Sequence, residues 1–450
     1  MNRRPWLSAL SPGTGTGRHL VMAVGVSGML YAAHLVLLLA VAVVLARVLG
    51  PDQLGVYAYT LAILNILSVF VRLGLSVLLM RETARAQSRG DWALMRGLWS
   101  WAARIALVAG LLLTLATIGA AELAGEALSA ERRHTLYAGL AIASLVAFGH
   151  LLNGTLRGLQ KVVAALTPEL VVRPALQLGL LLGALWLAGS VPLDAPGAML
   201  LNTAATAVSV AAGLAILWRL APAEVKAPGP MRREVPVWVR AAMPMAASIA
   251  LFQVYDQTAM LVLGNLGTDR ETGLFRVVLQ VALLGNYASL PFAMVATPMF
   301  SKLHAEGDTP GLQRIVTATV RGASGLILVL FIGACFLGEW FLGRVFGAAY
   351  AAGFPELIVL GIGYLLASLC GPAPDLMNMT GFERLHMRWM AVSAAANITL
   401  CTALVPSLGG MGAAIGLAVS MVGYRAAMML AARARLGIDT TPLGRPPRPG

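Results

Sequence analysis

Six arginines and two aspartates interrupt segments that are otherwise apolar: Arg72, Arg104, Arg173, Arg276, Arg321 and Arg425, with Asp256 and Asp375. An ionised group at the centre of a membrane helix costs at least ~2.5–3.5 kcal/mol, so it is kept where it faces a cavity or a partner. Arg72, Arg104 and Arg173 fall at a similar depth on three predicted helices, about eight residues or ~12 Å from the more basic side. Turned inward together they form a collar able to hold a phosphate or pyrophosphate, because the guanidinium's planar fork meets an oxyanion at two points. The competing reading is that long arginine side chains reach back to the lipid headgroups. Arg104, Arg321 and Arg425 fit that reading better, Arg72 and Arg173 fit the cavity, and Arg276, which begins its helix at the opposite side, is divided between the two.

Asp256 differs because a carboxylate cannot reach far, and it lies a little past the midplane. Buried there it must be paired or protonated, which makes it the candidate for ion coupling or for pairing with an arginine; the alternative is a structural hydrogen bond. Asp375 reads as interfacial. Asn65, Asn153, Gln177, Gln253, Tyr255, Gln280, Asn286 and Tyr287 could bond sugar hydroxyls or offer stacking faces, although such residues more often join helices to one another. Cys335, Cys370 and Cys401 sit in separate apolar blocks, and the six histidines are scattered, so no metal or catalytic triad is visible. Gly13-Thr14-Gly15-Thr16-Gly17 lacks the lysine of a phosphate loop, and Gly410-Met411-Gly412 opens a membrane helix rather than following a strand. Without a loop large enough for a catalytic domain, the expectation is a protein that is not an enzyme and uses no cofactor.

The elements that must position these residues follow from composition. Of the 450 residues 58% are hydrophobic and only 12% charged, with mean hydropathy +0.78; a soluble domain carries about 25% charged residues. The apolar blocks run roughly 20–28 residues, enough to cross ~30 Å of hydrocarbon as helices that satisfy their own backbone. We expect an all-α polytopic membrane protein of about twelve spans, near 21–46, 54–79, 98–120, 135–157, 167–189, 196–219, 238–265, 273–300, 315–337, 354–379, 389–406 and 409–432. Pro174, Pro244, Pro291, Pro298 and Pro372 are expected to kink theirs.

The net charge of +13 would suit nucleic acid binding in a soluble protein. Position argues otherwise: most of the 33 Lys and Arg fall on one side, with Arg47, Arg132, Arg133, Arg270 and Arg344 on the other. That asymmetry places both termini in the cytoplasm and makes membrane lipid, not nucleic acid, the partner. Arg3, Arg4 and Arg18 precede an apolar run too long for a signal peptide, so the first span is expected to be retained. The basic stretches between the second and third spans and after Arg433 read as topology-setting charge or as amphipathic segments on anionic lipid.

A polar connection at 221–237 with Pro222, Pro228, Pro230 and Pro236 divides the chain into a six-helix lobe, 1–220, and a second, 238–432, followed by a basic tail, 433–450. Six is even, so the lobes enter the membrane in the same orientation, as parallel repeats do. A faint echo supports this: Gly50-Pro51-Asp52 with Leu54-Gly55-Val56-Tyr57 resembles Gly267-Thr268-Asp269 with Thr272-Gly273-Leu274-Phe275.

These segments resemble a known family. Leu45-Ala46-Arg47-Val48-Leu49-Gly50-Pro51 through Gly55-Val56-Tyr57, with Leu73-Gly74-Leu75-Ser76 and Arg81-Glu82, is similar to the opening of the Wzx-type polysaccharide flippases of the multidrug/oligosaccharidyl-lipid/polysaccharide exporter (MOP) superfamily. Tyr255-Asp256, Leu263-Gly264, Glu271-Thr272-Gly273-Leu274-Phe275, Phe346-Gly347 with Tyr350, Val405-Pro406 and Gly412-Ala413-Ala414-Ile415 continue it in order. The resemblance implies a MATE-like fold of two six-helix lobes around a cavity and alternating access. It implies a flippase carrying a polyprenyl-pyrophosphate-linked oligosaccharide across a bacterial inner membrane for O-antigen, capsule or exopolysaccharide assembly, with polysaccharide assembly proteins as further partners. Where that family often has an acid before Leu-Gly-Leu this chain has Arg72, so Arg72 as a substrate residue is inferred from chemistry alone. The alternatives are a MATE-like cation or drug exporter, whose cavity should be acidic, and a membrane-embedded polymerase or ligase, which should carry a larger polar loop.

Overall fold

The structure, a computed structural model, describes residues 15–125, 128–188, 193–288 and 290–444, and it contains no strand among them. Its long helices are α1 (Gly15–Arg72), α2 (Leu75–Arg89), α3 (Trp92–Ala124) and α4 (Ala130–Gly158). The short α5 (Val162–Thr167) leads through a π-helical turn, Pro168–Val172, into α6 (Arg173–Ala188) and α7 (Ala195–Leu220). After one turn of helix, α8 (Ala223–Lys226), come α9 (Val235–Leu266), α10 (Asp269–Ala288), α11 (Leu290–Ala305) and α12 (Thr309–Phe341). The chain ends in α13 (Phe354–Leu369), the short α14 (Ala373–Met379), α15 (Glu383–Leu408) and α16 (Gly410–Leu436).

Among the described residues ten helical stretches are long and apolar enough to cross a membrane. The first of them, 45 described residues, bends at Gly50 and is long enough for two spans. The span expected at 273–300 corresponds to α10 and α11; residue 289, between them in sequence, is outside the described residues. Pro291, expected to kink it, has a side chain outside the described set, as does Asn286. With these two additions the structure matches the expected twelve.

Several boundaries differ from expectation for local reasons. The second span was expected to run through 79, but it stops at Arg72 because Leu73 and Gly74 both take positive φ, 44° and 72°. Gly74 suits that turn twice over: it lacks the steric penalty of a left-handed backbone, and a Cβ there would lie 2.5 Å from the Ala242 carbonyl oxygen. The chain then restarts as α2, whose Leu75, Leu78, Leu79, Glu82, Thr83 and Ala86 are buried while Arg81 and Arg85 lie outside, an amphipathic helix rather than a loop. The tenth span, expected at 354–379, breaks after Cys370 where Gly371 has φ +73°.

The described chain divides into two compact units. Unit 1 holds the residues up to Val41 and Leu64–Ile249; unit 2 holds Ala42–Ile63 and the residues from Ala250 onward. Unit 1 packs around Val71, Leu78, Met95, Leu98 and Trp238, with Trp101 tilted against Trp238 at 5.2 Å between ring centres. Leu107, Leu111, Leu112 and Leu115 on α3 stay exposed, as expected where lipid rather than water is the solvent. Unit 2 packs around Phe300, Leu312, Val316, Met377, Met428 and Ile438.

In unit 2 the sequence echo becomes a physical contact. A Cβ on Gly55 would lie 1.8 Å from the Asp269 carbonyl oxygen, and one on Gly273 would lie 1.9 Å from that of Pro51. Each glycine meets the residue four positions before the other, so α1 and α10 cross with their backbones in contact. Other family-like residues brace the same unit: Arg47 donates to the carbonyls of Arg344 (2.6 Å) and Val345 (2.8 Å), and Tyr350 Oη donates to Ala46 O (3.0 Å).

Candidate functional site

In unit 1, Arg72 closes α1 with only 8% of its surface exposed. Glu169 is close enough to act on it electrostatically. Glu169 occupies the π-helical turn, where the backbone N–H of Arg173 reaches back five residues to Pro168 O. Such a turn carries one residue more than an α-helical turn and occurs often at functional sites. It is pinned from outside: Ser209 Oγ donates to Pro168 O at 2.6 Å, and His34 Nδ1 donates to Leu170 O at 3.0 Å.

Arg173 follows at the head of α6 and its Nη2 donates to Asn202 Oδ1 at 3.4 Å. His150 on α4 has Nδ1 3.9 Å from Glu169 Oε2, and the charges of Arg72, Arg173 and Arg157 all act on it. Two of the three collar arginines therefore share one set of neighbours. Arg104 does not join it: the residue is exposed on α3 and is not among the charges acting on Arg72 or His150.

Between these groups lies a cavity of about 30 Å³ lined by His150, Asn153, Glu169, Arg173, Thr206 and Ser209. That is room for a water or two, not for a phosphate. In this conformation the arginines are met by an internal carboxylate, and an anionic guest would have to take the place of Glu169. The sequence reading missed Glu169 because Pro168 placed it at a helix entrance. Its signal was the spacing Glu169–Arg173, four residues apart in the helical direction that favours an ion pair.

In unit 2, Asp256 on α9 is exposed, with Gln257 Nε2 donating to its Oδ2 at 2.5 Å, and Arg276 on α10 acts on it electrostatically. Around them are aromatic hydroxyls: Tyr255, Asp256, Tyr287 and Arg425 all act on the ring of Tyr364 on α13. The structure thus joins Asp256 with Arg276, and adds Arg425 and Tyr364. Arg425 also donates to Gly371 O at 3.4 Å, while Arg321 is held by Pro442 O at 2.7 Å. Of the polar neighbours, Asn153 donates to Ala165 O (3.0 Å), the helix-joining role. Among the described residues no cluster of three or more His, Cys, Asp or Glu could hold a metal ion.

Kinked apolar helices interrupted by a few arginines and carboxylates define a multi-pass α-helical membrane protein, and its fold is shared with solved transporters. It overlays an inward-facing multidrug resistance MATE family transporter with TM-score 0.74 at 16% identity, covering 90% of this chain and 94% of that one. It overlays the lipid II flippase MurJ in an inward closed conformation with TM-score 0.72 at 12% identity, covering 92% and 87%. In sequence it is 22% identical over 380 residues to the probable low-salt glycan biosynthesis flippase Agl15 of Haloferax volcanii, covering 83% of this chain and 75% of that protein. Residues 22–304 match the family model of polysaccharide biosynthesis proteins, and the chain belongs to that family.

Proposed function

We propose that this protein is a flippase that moves a polyprenyl-pyrophosphate-linked oligosaccharide across the membrane by alternating access, without breaking a covalent bond. Family membership over residues 22–304 is the observation that carries the reading. The charges of the two sites support an anionic cargo: Arg72, Arg173, Arg276 and Arg425 outnumber Glu169 and Asp256. In this proposal Arg72 and Arg173 receive the pyrophosphate once Glu169 is displaced, and Arg276 is a further substrate residue. Arg104 meets the lipid phosphate at the membrane surface. Asp256 couples transport to an ion. The lobes are 1–220 and 238–432, the setting is a bacterial inner membrane with both termini cytoplasmic, and polysaccharide assembly proteins receive the product.

A cation or drug exporter is the second reading, favoured by the fold it shares with a multidrug transporter. Cargo charge separates the two. Deleting the gene should remove the surface polysaccharide and leave lipid-linked sugar on the inner leaflet. Wild type should restore export, while Arg72→Ala with Arg173→Ala should lower it roughly tenfold or more, the weight of lost charge-assisted bonds. Normal surface polysaccharide in the deletion strain would rule the flippase reading out.

A further inference from the structure

Unit 1 carries a second cavity that the transport reading does not use. It is about 570 Å³ and is bounded by α3, α4, α7 and the connection that follows α7. That volume falls within the ~300–1,000 Å³ typical of ligand sites. Its walls are apolar, from Phe148 and Leu152 on α4 to Val210, Leu214 and Leu217 on α7. One end is different: Arg96, Trp99, Trp218 and Lys226 gather there, the combination found at the level of lipid headgroups.

At that end positive charge is left over. Arg96 Nε donates to Pro230 O at 3.2 Å and Nη1 to Glu224 O at 2.5 Å, so the connection is strapped to α3 through backbone carbonyls, which do not neutralise charge. Nη2 of Arg96 makes no hydrogen bond among the described residues, and lies 2.8 Å from where a Cβ on Gly229 would stand. Lys226 Nζ donates to Arg219 O at 3.3 Å. Arg96, Arg219 and Lys226 form no ion pair among the described residues; nearby Asp91 and Glu234 are taken by Arg232 instead, at 2.7 and 3.3 Å. Trp218, two-thirds exposed, extends the groove outward beside the cations.

We propose that this groove is a binding site for an anionic phospholipid of the surrounding bilayer, with the acyl chains along α4 and α7 and the phosphate between Arg96 and Lys226. Charge complementarity selects that occupant. A zwitterionic lipid could fill the apolar walls equally well, but brings no net charge to the cationic end. The site is independent of the transported cargo, and it ties the bilayer to the connection leading into α9.

The full-length protein would be reconstituted in vesicles of phosphatidylethanolamine and phosphatidylglycerol, extracted, and examined by native mass spectrometry. Wild type should retain phosphatidylglycerol in preference to phosphatidylethanolamine. Lys226→Gln should reduce that retention roughly fivefold, as expected for one basic residue near an anionic headgroup. Arg233→Gln, on the same connection but outside the groove, should leave it unchanged. Leu214→Trp fills the groove from an exposed position without altering charge and should also lose the lipid. Equal retention of the two lipids, or undiminished phosphatidylglycerol in both Leu214→Trp and Lys226→Gln, would overturn the proposal. So would displacement of phosphatidylglycerol by equimolar undecaprenyl phosphate, which would make the groove a cargo site.

Discussion

Arg72 and Glu169 decide how the first-half site behaves. Arg72 is buried and awkward alone in an apolar bundle, and Glu169, whose side chain is partly exposed, lies close enough to offset its charge. Removing the carboxylate leaves the buried guanidinium without that compensation, which costs more than the pair contributes. Glu169→Ala should therefore destabilise the protein more than Arg72→Ala/Glu169→Ala does, with a coupling of about 0.5–3 kcal/mol in a double-mutant cycle read by thermal unfolding in detergent. Additive effects would show that the two groups do not interact. Asp256 calls for a different experiment, because its proposed role is coupling: Asp256→Asn should keep cargo binding and lose the dependence of transport on an ion gradient. Wild-type rates in Asp256→Asn under an imposed gradient would remove that role. At this scale the sequence exposed the arginines, since a charge inside an apolar run is conspicuous. It hid Glu169 because Pro168 places it at a helix entrance, and it hid His150 because a lone histidine in an apolar run carries no sign of its partner; the π-helical turn that sets Glu169 beside His150 has no one-dimensional signature beyond Pro168.

Helices account for the rest of the geometry. The crossing of α1 and α10 depends on the absence of two side chains, so Gly55→Ala and Gly273→Ala should each force the helices apart. Overpacking of this kind costs about 1–3 kcal/mol, and because both changes act on one contact the double variant should lose less than the sum. A shift in unfolding midpoint equal to the sum would contradict a shared crossing. The end of the chain makes a second case. Residues 437–444, expected as part of a basic tail, include the fully buried Ile438 and Thr440. Gln313 donates to Asp439 O and accepts from Asp439 N, and Thr440 Oγ1 donates to Cys370 O. Truncation after Leu436 should cost at least the ~1.5–3 kcal/mol of one buried isoleucine, measured as a lower unfolding temperature. Helix existence was legible because apolar runs of span length admit no other structure. Helix breaks were legible only in part. Leu73 in a left-handed turn gives no local cue, whereas the Gly50-Pro51 bend and the glycines of the crossing stood out as a repeated pattern.

For the molecule as a whole, the asymmetry of Lys and Arg is the observation that sets direction. In a variant whose Cys335, Cys370 and Cys401 are replaced by alanine, Ser407→Cys should react with an impermeant maleimide in intact cells, and Ser88→Cys only after permeabilisation. The reverse pattern would invert the topology and move the basic groove to the outer face. Fold and family emerged from composition and ordered motifs together, because a membrane protein's solvent is written into its hydropathy. The cargo is less directly encoded, since sugars are recognised by many weak polar contacts. The central claim is that these buried cations serve the passage of a lipid-linked anion. It is tested most directly with purified protein in vesicles carrying the source cell's own polyprenyl-pyrophosphate-linked oligosaccharide in both leaflets, by following oxidation of the glycan with external periodate. Wild-type vesicles should expose the inner pool, and vesicles with Arg72→Ala/Arg173→Ala should do so roughly tenfold more slowly or worse; an inner pool as protected with wild type as in protein-free vesicles would contradict the account.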